Sequence, residues 1–163
     1  MPDLIQLTDR SDVTAQLRRG LIDCWTDVAR HDGGPSRKNI APILDTLLTR
    51  LHPERQRLFA ALSGTALVGW ATLNRDDNPL IDHWGRVCYL QTRPSYRKRG
   101  VATALMRRLQ RTAREQMGLE RLQLATCGGH GLENFYDRLG WQETGRWPRD
   151  GHEEVLMVLA PLT

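Results

Sequence analysis

Val87-Cys88-Tyr89-Leu90-Gln91-Thr92, Arg93-Pro94-Ser95-Tyr96 and Arg97-Lys98-Arg99-Gly100-Val101-Ala102 form the stretch around which the chain is arranged. The first six residues are apolar and β-prone, as a buried strand requires. Pro94 ends that strand, because proline has no N–H for a ladder and biases the residue before it toward extended backbone. Thr103 to Met117 then reads as one amphipathic helix, with Val101, Leu105, Leu109, Ala113 and Met117 along one face. Strand, glycine turn and helix together aim free N–H groups and a helix dipole at an anion. A diphosphate is the natural occupant of such a turn.

Working outward, 163 residues suffice for one packed core, and residues 1–163 are expected to form a single domain. No apolar run of about eighteen residues exists, so no membrane span is expected. The start, Met1-Pro2-Asp3-Leu4, has neither a basic segment nor an apolar one, so no signal peptide is expected. Cys24, Cys88 and Cys127 fit neither a disulfide framework nor a zinc knuckle, which points to a reducing, cytoplasmic setting without a metal. The net charge of +4 is unevenly placed: His83 to Arg114 contains no Asp or Glu. Arg107, Arg108, Arg111 and Arg114 read as a solvated helix face, whereas Arg97, Lys98 and Arg99 stand at the turn and suit phosphate.

Along the chain, Leu4 to Thr8 reads as a strand, and Thr8 or Ser11 as the cap of a helix from Val13 to Ala29. His31 to Ser36 is a loop, and Ile40 to Leu51 a second helix ended by His52-Pro53. Arg57 to Leu62 and Thr65 to Leu73 form a hairpin about Ser63-Gly64. After the long helix, Leu122 to Thr126 is a strand, Cys127 to Gly131 a flexible turn, and Leu132 to Leu139 a short helix closed by Gly140. Trp141 to Thr144 and Val155 to Leu159 make a last pair of strands around the loop Pro148 to Gly151. The order is that of a mixed α/β sheet with helices on its faces.

The run Arg97-x-x-Gly100-x-Ala102 between strand and helix resembles the coenzyme-A signature of the GNAT superfamily of N-acetyltransferases, Gln/Arg-x-x-Gly-x-Gly/Ala. The element order resembles that family over essentially the whole chain. Tyr136-Asp137-Arg138-Leu139-Gly140-Trp141 is similar to its late Tyr-x-x-x-Gly-Phe segment, with tryptophan for phenylalanine. The resemblance implies a mixed, mostly antiparallel central sheet, splayed at its middle and flanked by helices. It implies acetyl-CoA as co-substrate and no metal. Two departures are plain: no asparagine stands at Gly128 to His130, and Arg86 to Thr92 contains no carboxylate to serve as general base.

The resemblance assigns roles residue by residue. Main-chain N–H groups of Arg99, Gly100, Val101 and Ala102 would cradle the diphosphate, within a coenzyme-contact set of Leu90, Gln91, Thr92, Arg97, Lys98, Arg99, Gly100, Val101, Ala102, Thr103, Asn134 and Tyr136. The strands would part near Leu90 to Thr92, leaving the N–H of Leu90 as oxyanion donor to the thioester carbonyl. Tyr136 would be the general acid, since a tyrosine of pKa about 10 keeps its proton at neutral pH. Asp82, His83, His130 and Glu133 are the candidate bases, with a relay through water as the alternative.

For the acceptor, the residues singled out are Trp25, Asp82, His83, Trp84, His130, Glu133 and Trp147. Trp25 and Trp70 fit the core as well, whereas Trp84 and Trp147 stand in loop-like surroundings. Tryptophan faces with carboxylates nearby suit a small cationic amine, such as an amino sugar or aminoglycoside-like antibiotic. As a whole, the chain is similar to stand-alone bacterial acetyltransferases of drug or toxin detoxification. Rival readings are an acetyltransferase of protein N-termini or lysines, and a non-catalytic domain that binds acyl-CoA as a signal. No membrane partner is expected, and nucleic-acid binding is disfavoured because the tryptophans lie outside the basic stretch. A homodimer is left open.

Overall fold

A seven-stranded sheet runs through the computed structural model, which describes residues 2–128 and 132–162. In chain order the elements are β1 (Asp3–Leu7), α1 (Ala15–Asp32), α2 (Arg37–Thr49), β2 (Gln56–Ser63), β3 (Ala66–Arg75), β4 (Trp84–Thr92), α3 (Val101–Glu115), β5 (Arg121–Cys127), α4 (Leu132–Arg138), β6 (Gln142–Arg149) and β7 (His152–Leu159). The strand order is β1-β2-β3-β4-β5-β7-β6, antiparallel throughout except for β4 and β5. The open, mixed and mostly antiparallel sheet is the one the resemblance implies.

The sheet separates two apolar clusters. On one face α1 and α2 bury Leu21, Ile22, Ile40, Leu44 and Leu48 against Leu58, Ala60 and Trp70. On the other, the α3 stripe of Val101, Leu105, Leu109 and Ala113 is buried as its spacing requires, joined by Met117 just past the end of the helix and by Met106, Tyr136 and Trp141. The helical period places these side chains on one face, and burying each large one contributes about 1.5–3 kcal/mol.

Local chemistry moves some boundaries. Neither Thr8 nor Ser11 caps α1: Asp9 accepts from Ser11 N at 2.8 Å to close a short turn at Arg10–Asp12. Thr14 caps α1 instead, its Oγ1 accepting from Leu17 N at 3.1 Å. Ser36 is the N-cap position of α2, which begins three residues before Ile40. β6 continues through Pro148, expected in a loop, because it is the outermost strand and a missing N–H is tolerated at an edge. Only Asp150-Gly151 remains as the turn, both with positive φ (45° and 82°) as a two-residue hairpin demands. No helix among the described residues is long and apolar enough to cross a membrane.

Candidate active site

β4 leaves the sheet through Arg93, whose N–H donates to Val68 O at 2.8 Å and whose Nε donates to Leu67 O at 2.7 Å. A single turn at Pro94–Tyr96 carries the chain over to Arg97. Lys98 and Gly100 then adopt left-handed backbone, with φ of 62° and 82°. The first main-chain bond into α3 runs from Ala104 N to Gly100 O at 3.0 Å. Among the described residues, none of the N–H groups from Lys98 to Thr103 donates to a protein acceptor. A Cβ built on Gly100 meets nothing within 4 Å, so glycine is demanded by its φ, and the space before the turn is open. Six unpartnered donors at a helix N-terminus fit the diphosphate of a coenzyme.

Side chains at the turn divide differently from expectation. Arg97, expected on phosphate, is held by Asp32, with Nη1 at 3.0 Å and Nη2 at 2.6 Å from its two oxygens. Its Nε also donates to Thr92 O at 3.2 Å, so the whole fork is engaged. Arg97 holds the Asp32 carboxyl down to about 2, well below the usual carboxylate range. Lys98 and Arg99 remain exposed, Arg99 lying 5.3 Å from the centre of the Tyr96 ring.

Beside the turn the sheet parts. β4 pairs with β5 only from Trp84 to Arg86, opposite Arg121 to Gln123. Beyond Arg86, β4 stays with β3 and β5 stays with β7, so the gap opens earlier than Leu90. The register on β3 runs Trp70↔Gln91 and Thr72↔Cys88, which sets Tyr89 and Leu90 opposite Ala71 alone. This two-against-one bulge puts Tyr89 at φ 60°, an uncommon conformation for an aromatic residue. In the parted half, Gln91 Oε1 and Thr92 Oγ1 are buried without a protein partner. Strain and orphaned polar atoms gathered in one segment mark a functional site.

Tyr136 lies on α4, 6% exposed, against Phe135 and Trp141 with ring centres at 5.1 and 5.9 Å. Burial pushes its hydroxyl up to about 12, so it holds its proton throughout the neutral range. Trp141 is fixed in turn by its indole N–H, which donates to Gln110 Oε1 at 3.2 Å. Asn134 is exposed on the same short helix.

On the α1 face of the bulge stands an aromatic group that sequence reasoning took apart. Tyr89 stacks on Trp70 at 5.6 Å and 19°, and Trp25 meets both edge-on at 5.3 and 5.8 Å. Trp70 is fully buried with its indole N–H unpartnered, while Tyr89 is 42% exposed. An aromatic residue in an apolar strand carries no sign of a bulge, so Tyr89 was not legible as a site residue.

The remaining acceptor candidates fall in two places. Trp147 is in a strand, not a loop: it is exposed on β6 opposite Glu154, which is itself level with Cys127 at the parted end of β5. Nearby, Arg146 is shared by Glu133 at 2.7 Å and by Glu143 and Glu153 at 2.6 Å. Asp82, His83 and Trp84 lie instead at the paired end of β4, where Arg121 covers the Trp84 ring at 4.4 Å. Strand residues rise about 3.3 Å each, so Trp84 sits roughly 20 Å from Leu90 and is not brought to the parting. His130 lies outside the described residues.

The profile of the acetyltransferase (GNAT) family matches residues 15–141. Among solved structures, an acetyltransferase assigned to the GNAT family from Desulfovibrio desulfuricans superposes with TM-score 0.77 at 15% identity, over 98% of this chain and 99% of that one. An aminoglycoside 6'-N-acetyltransferase complexed with coenzyme A gives TM-score 0.75 at 17% identity, over 97% and 96%. The ribosomal-protein-S18-alanine N-acetyltransferase of Escherichia coli gives 0.70 at 15%, over 99% and 95%. No curated protein sequence matches the chain. The chain therefore belongs to the GNAT family of acetyltransferases, acyltransferases that use acetyl-CoA.

Proposed function

We propose that the chain transfers an acetyl group from acetyl-CoA directly to a primary amine of a small cationic acceptor, an amino sugar or aminoglycoside-like molecule being favoured. The observation that carries the donor half is the row of unpartnered N–H groups from Lys98 to Thr103, set beside the parting of β4 and β5. Those of Arg99, Gly100, Val101 and Ala102 hold the diphosphate, with the Lys98 and Arg99 side chains adding positive charge.

When bound, acetyl-CoA supplies a thioester carbonyl open to attack by an amine. The Leu90 N–H, in the bulge, donates to that carbonyl oxygen as negative charge grows there. The Tyr136 hydroxyl gives its proton to the departing sulfur, and burial keeps that proton in place until it is needed. Asp82 and His83 precede β4 at its paired end, far from the bulge, which leaves Glu133, His130 or a relay through water to take the amine proton.

The acceptor half rests on charge and aromatic surface. Three carboxylates, those of Glu133, Glu143 and Glu153, gather on the Arg146 guanidinium. Exposed Trp147 stands beside them, and the Tyr89–Trp70 stack with Trp25 flanks the bulge. Aromatic faces beside a group of carboxylates suit a polar ring bearing ammonium groups.

The test is acetyl-CoA binding by calorimetry, followed by thiol release over aminoglycosides, polyamines and peptides with free N-termini. Release with amino sugars is expected. Release with peptides alone would replace the acceptor reading, and tight binding with no release on any amine would favour a regulatory acyl-CoA domain.

A further inference from the structure

Among the described residues the N–H groups from Lys98 to Thr103 have no protein acceptor, and the turn that carries them is anchored at its leading end. That anchor comes from a helix 65 residues earlier in the chain. Asp32, the last residue of α1, accepts both arms of the Arg97 fork, and Arg97 Nε is tied to the strand at Thr92 O. His31 Nδ1 lies 2.7 Å from Asp32 Oδ1, against the same carboxylate. One turn and a half earlier on α1, Asp27 stands 3.5 Å from Arg93 Nη1. Arg93 and Arg97 flank the Pro94–Tyr96 turn, so two carboxylates of one helix bracket the segment that delivers the chain to Lys98 and Gly100. A two-point carboxylate–guanidinium contact fixes orientation as well as distance.

Resting on the coenzyme reading, we propose that Asp32 is a positioning residue for donor binding: acting through Arg97, it holds the Lys98–Thr103 N–H groups in their diphosphate-binding arrangement. Arg97 serves the coenzyme as a strut and not as a phosphate ligand. Because α1 also carries Trp25 of the aromatic group at the bulge, the same helix spans both halves of the site.

The experiment compares coenzyme A with pantetheine, which shares the thiol arm but lacks the diphosphate, as ligands of the full chain. Asp32→Ala is expected to raise the Kd of coenzyme A about three- to tenfold and to leave that of pantetheine within about twofold, while Asp32→Glu restores coenzyme binding. A structural role alone would weaken both ligands equally, and that result overturns the proposal. Unchanged or tighter coenzyme binding in Asp32→Ala also overturns it, the latter showing Asp32 as a competitor for Arg97. Arg97→Lys, which keeps the charge but loses the fork, gives an independent arm with the same expected loss should Asp32→Ala fold poorly. Wild-type protein that binds no coenzyme A would fell the coenzyme reading itself, a separate outcome.

Discussion

The two parts of β4, Trp84 to Arg86 and Val87 to Thr92, differ in how far the rest of the sheet pairs with them. At Gly85 and Arg86 the strand is paired on both sides, and Gly85 is closed in by Leu73, Leu119 and Leu122. From Val87 to Thr92 it loses β5, bulges at Tyr89 and Leu90, and keeps orphaned oxygens at Gln91 and Thr92. The first part has a neighbouring strand on either side; the second has lost one of them and carries the bulge. Stability and function are thus divided along one strand, and substitutions can ask whether the division is real.

The largest effect is expected at the turn beyond the open half. Gly100→Val forces a branched residue into left-handed backbone, costing about 1–2 kcal/mol, and fills the space before the N–H groups. Coenzyme affinity by calorimetry should fall at least about a hundredfold. Retained affinity would mean that the open turn is not the donor site.

Next is Tyr136→Phe, which keeps the packing against Phe135 and Trp141 but removes the hydroxyl. Turnover should fall about a hundredfold with coenzyme Kd unchanged; unaltered turnover removes Tyr136 as the acid. With the folded hydroxyl at about 12 and an unfolded one near 10, its stabilising effect is complete below pH 10 and lost as pH rises toward 12. Melting temperature across that window should show the loss in wild type and less of it in the phenylalanine variant.

In the closed half, Gly85→Ala brings a methyl to 2.7 Å from Leu119 Cδ1 and 2.9 Å from Leu122 Cδ2. It should destabilise by about 1–3 kcal/mol, a Tm loss of roughly 3–10 °C, without altering coenzyme affinity per folded molecule. The smallest effect belongs to Trp84→Leu. It removes the cation–π contact with Arg121, worth about 0.5–1 kcal/mol, and should leave acceptor KM within about twofold. A large rise in acceptor KM there would break the division of β4 into two roles.

Much of this frame was legible in the chain. The α3 stripe, the β2–β3 hairpin and the glycine turn each depend on neighbours close in sequence, through helical period, alternation and turn chemistry. What stayed hidden depends on distant partners. Arg97 reads as a phosphate ligand until Asp32 is seen to hold it. Trp84 and Trp147 both read as loop residues, yet lie in strands, Trp84 at the paired end of β4 and Trp147 level with the far end of β5. Tyr89 and Trp70 were separated because a bulge depends on the register between two strands, which no single strand displays. Thr14 was passed over as a cap because the Asp9 turn before α1 consumes the expected capping residues.

Pro148 has a consequence at the rim of the molecule. Proline can occupy β6 only with its nitrogen turned away from β7, so the outer border lacks a donor there, while Arg146 and Arg149 tie the strand to Glu153 and Glu154 of β7. The opposite border, β1, is only five residues long. Neither margin is a template on which a passing ribbon of polypeptide can crystallise. A short β1 and a β6 interrupted by proline leave few free ladder positions for another strand at either edge of the sheet.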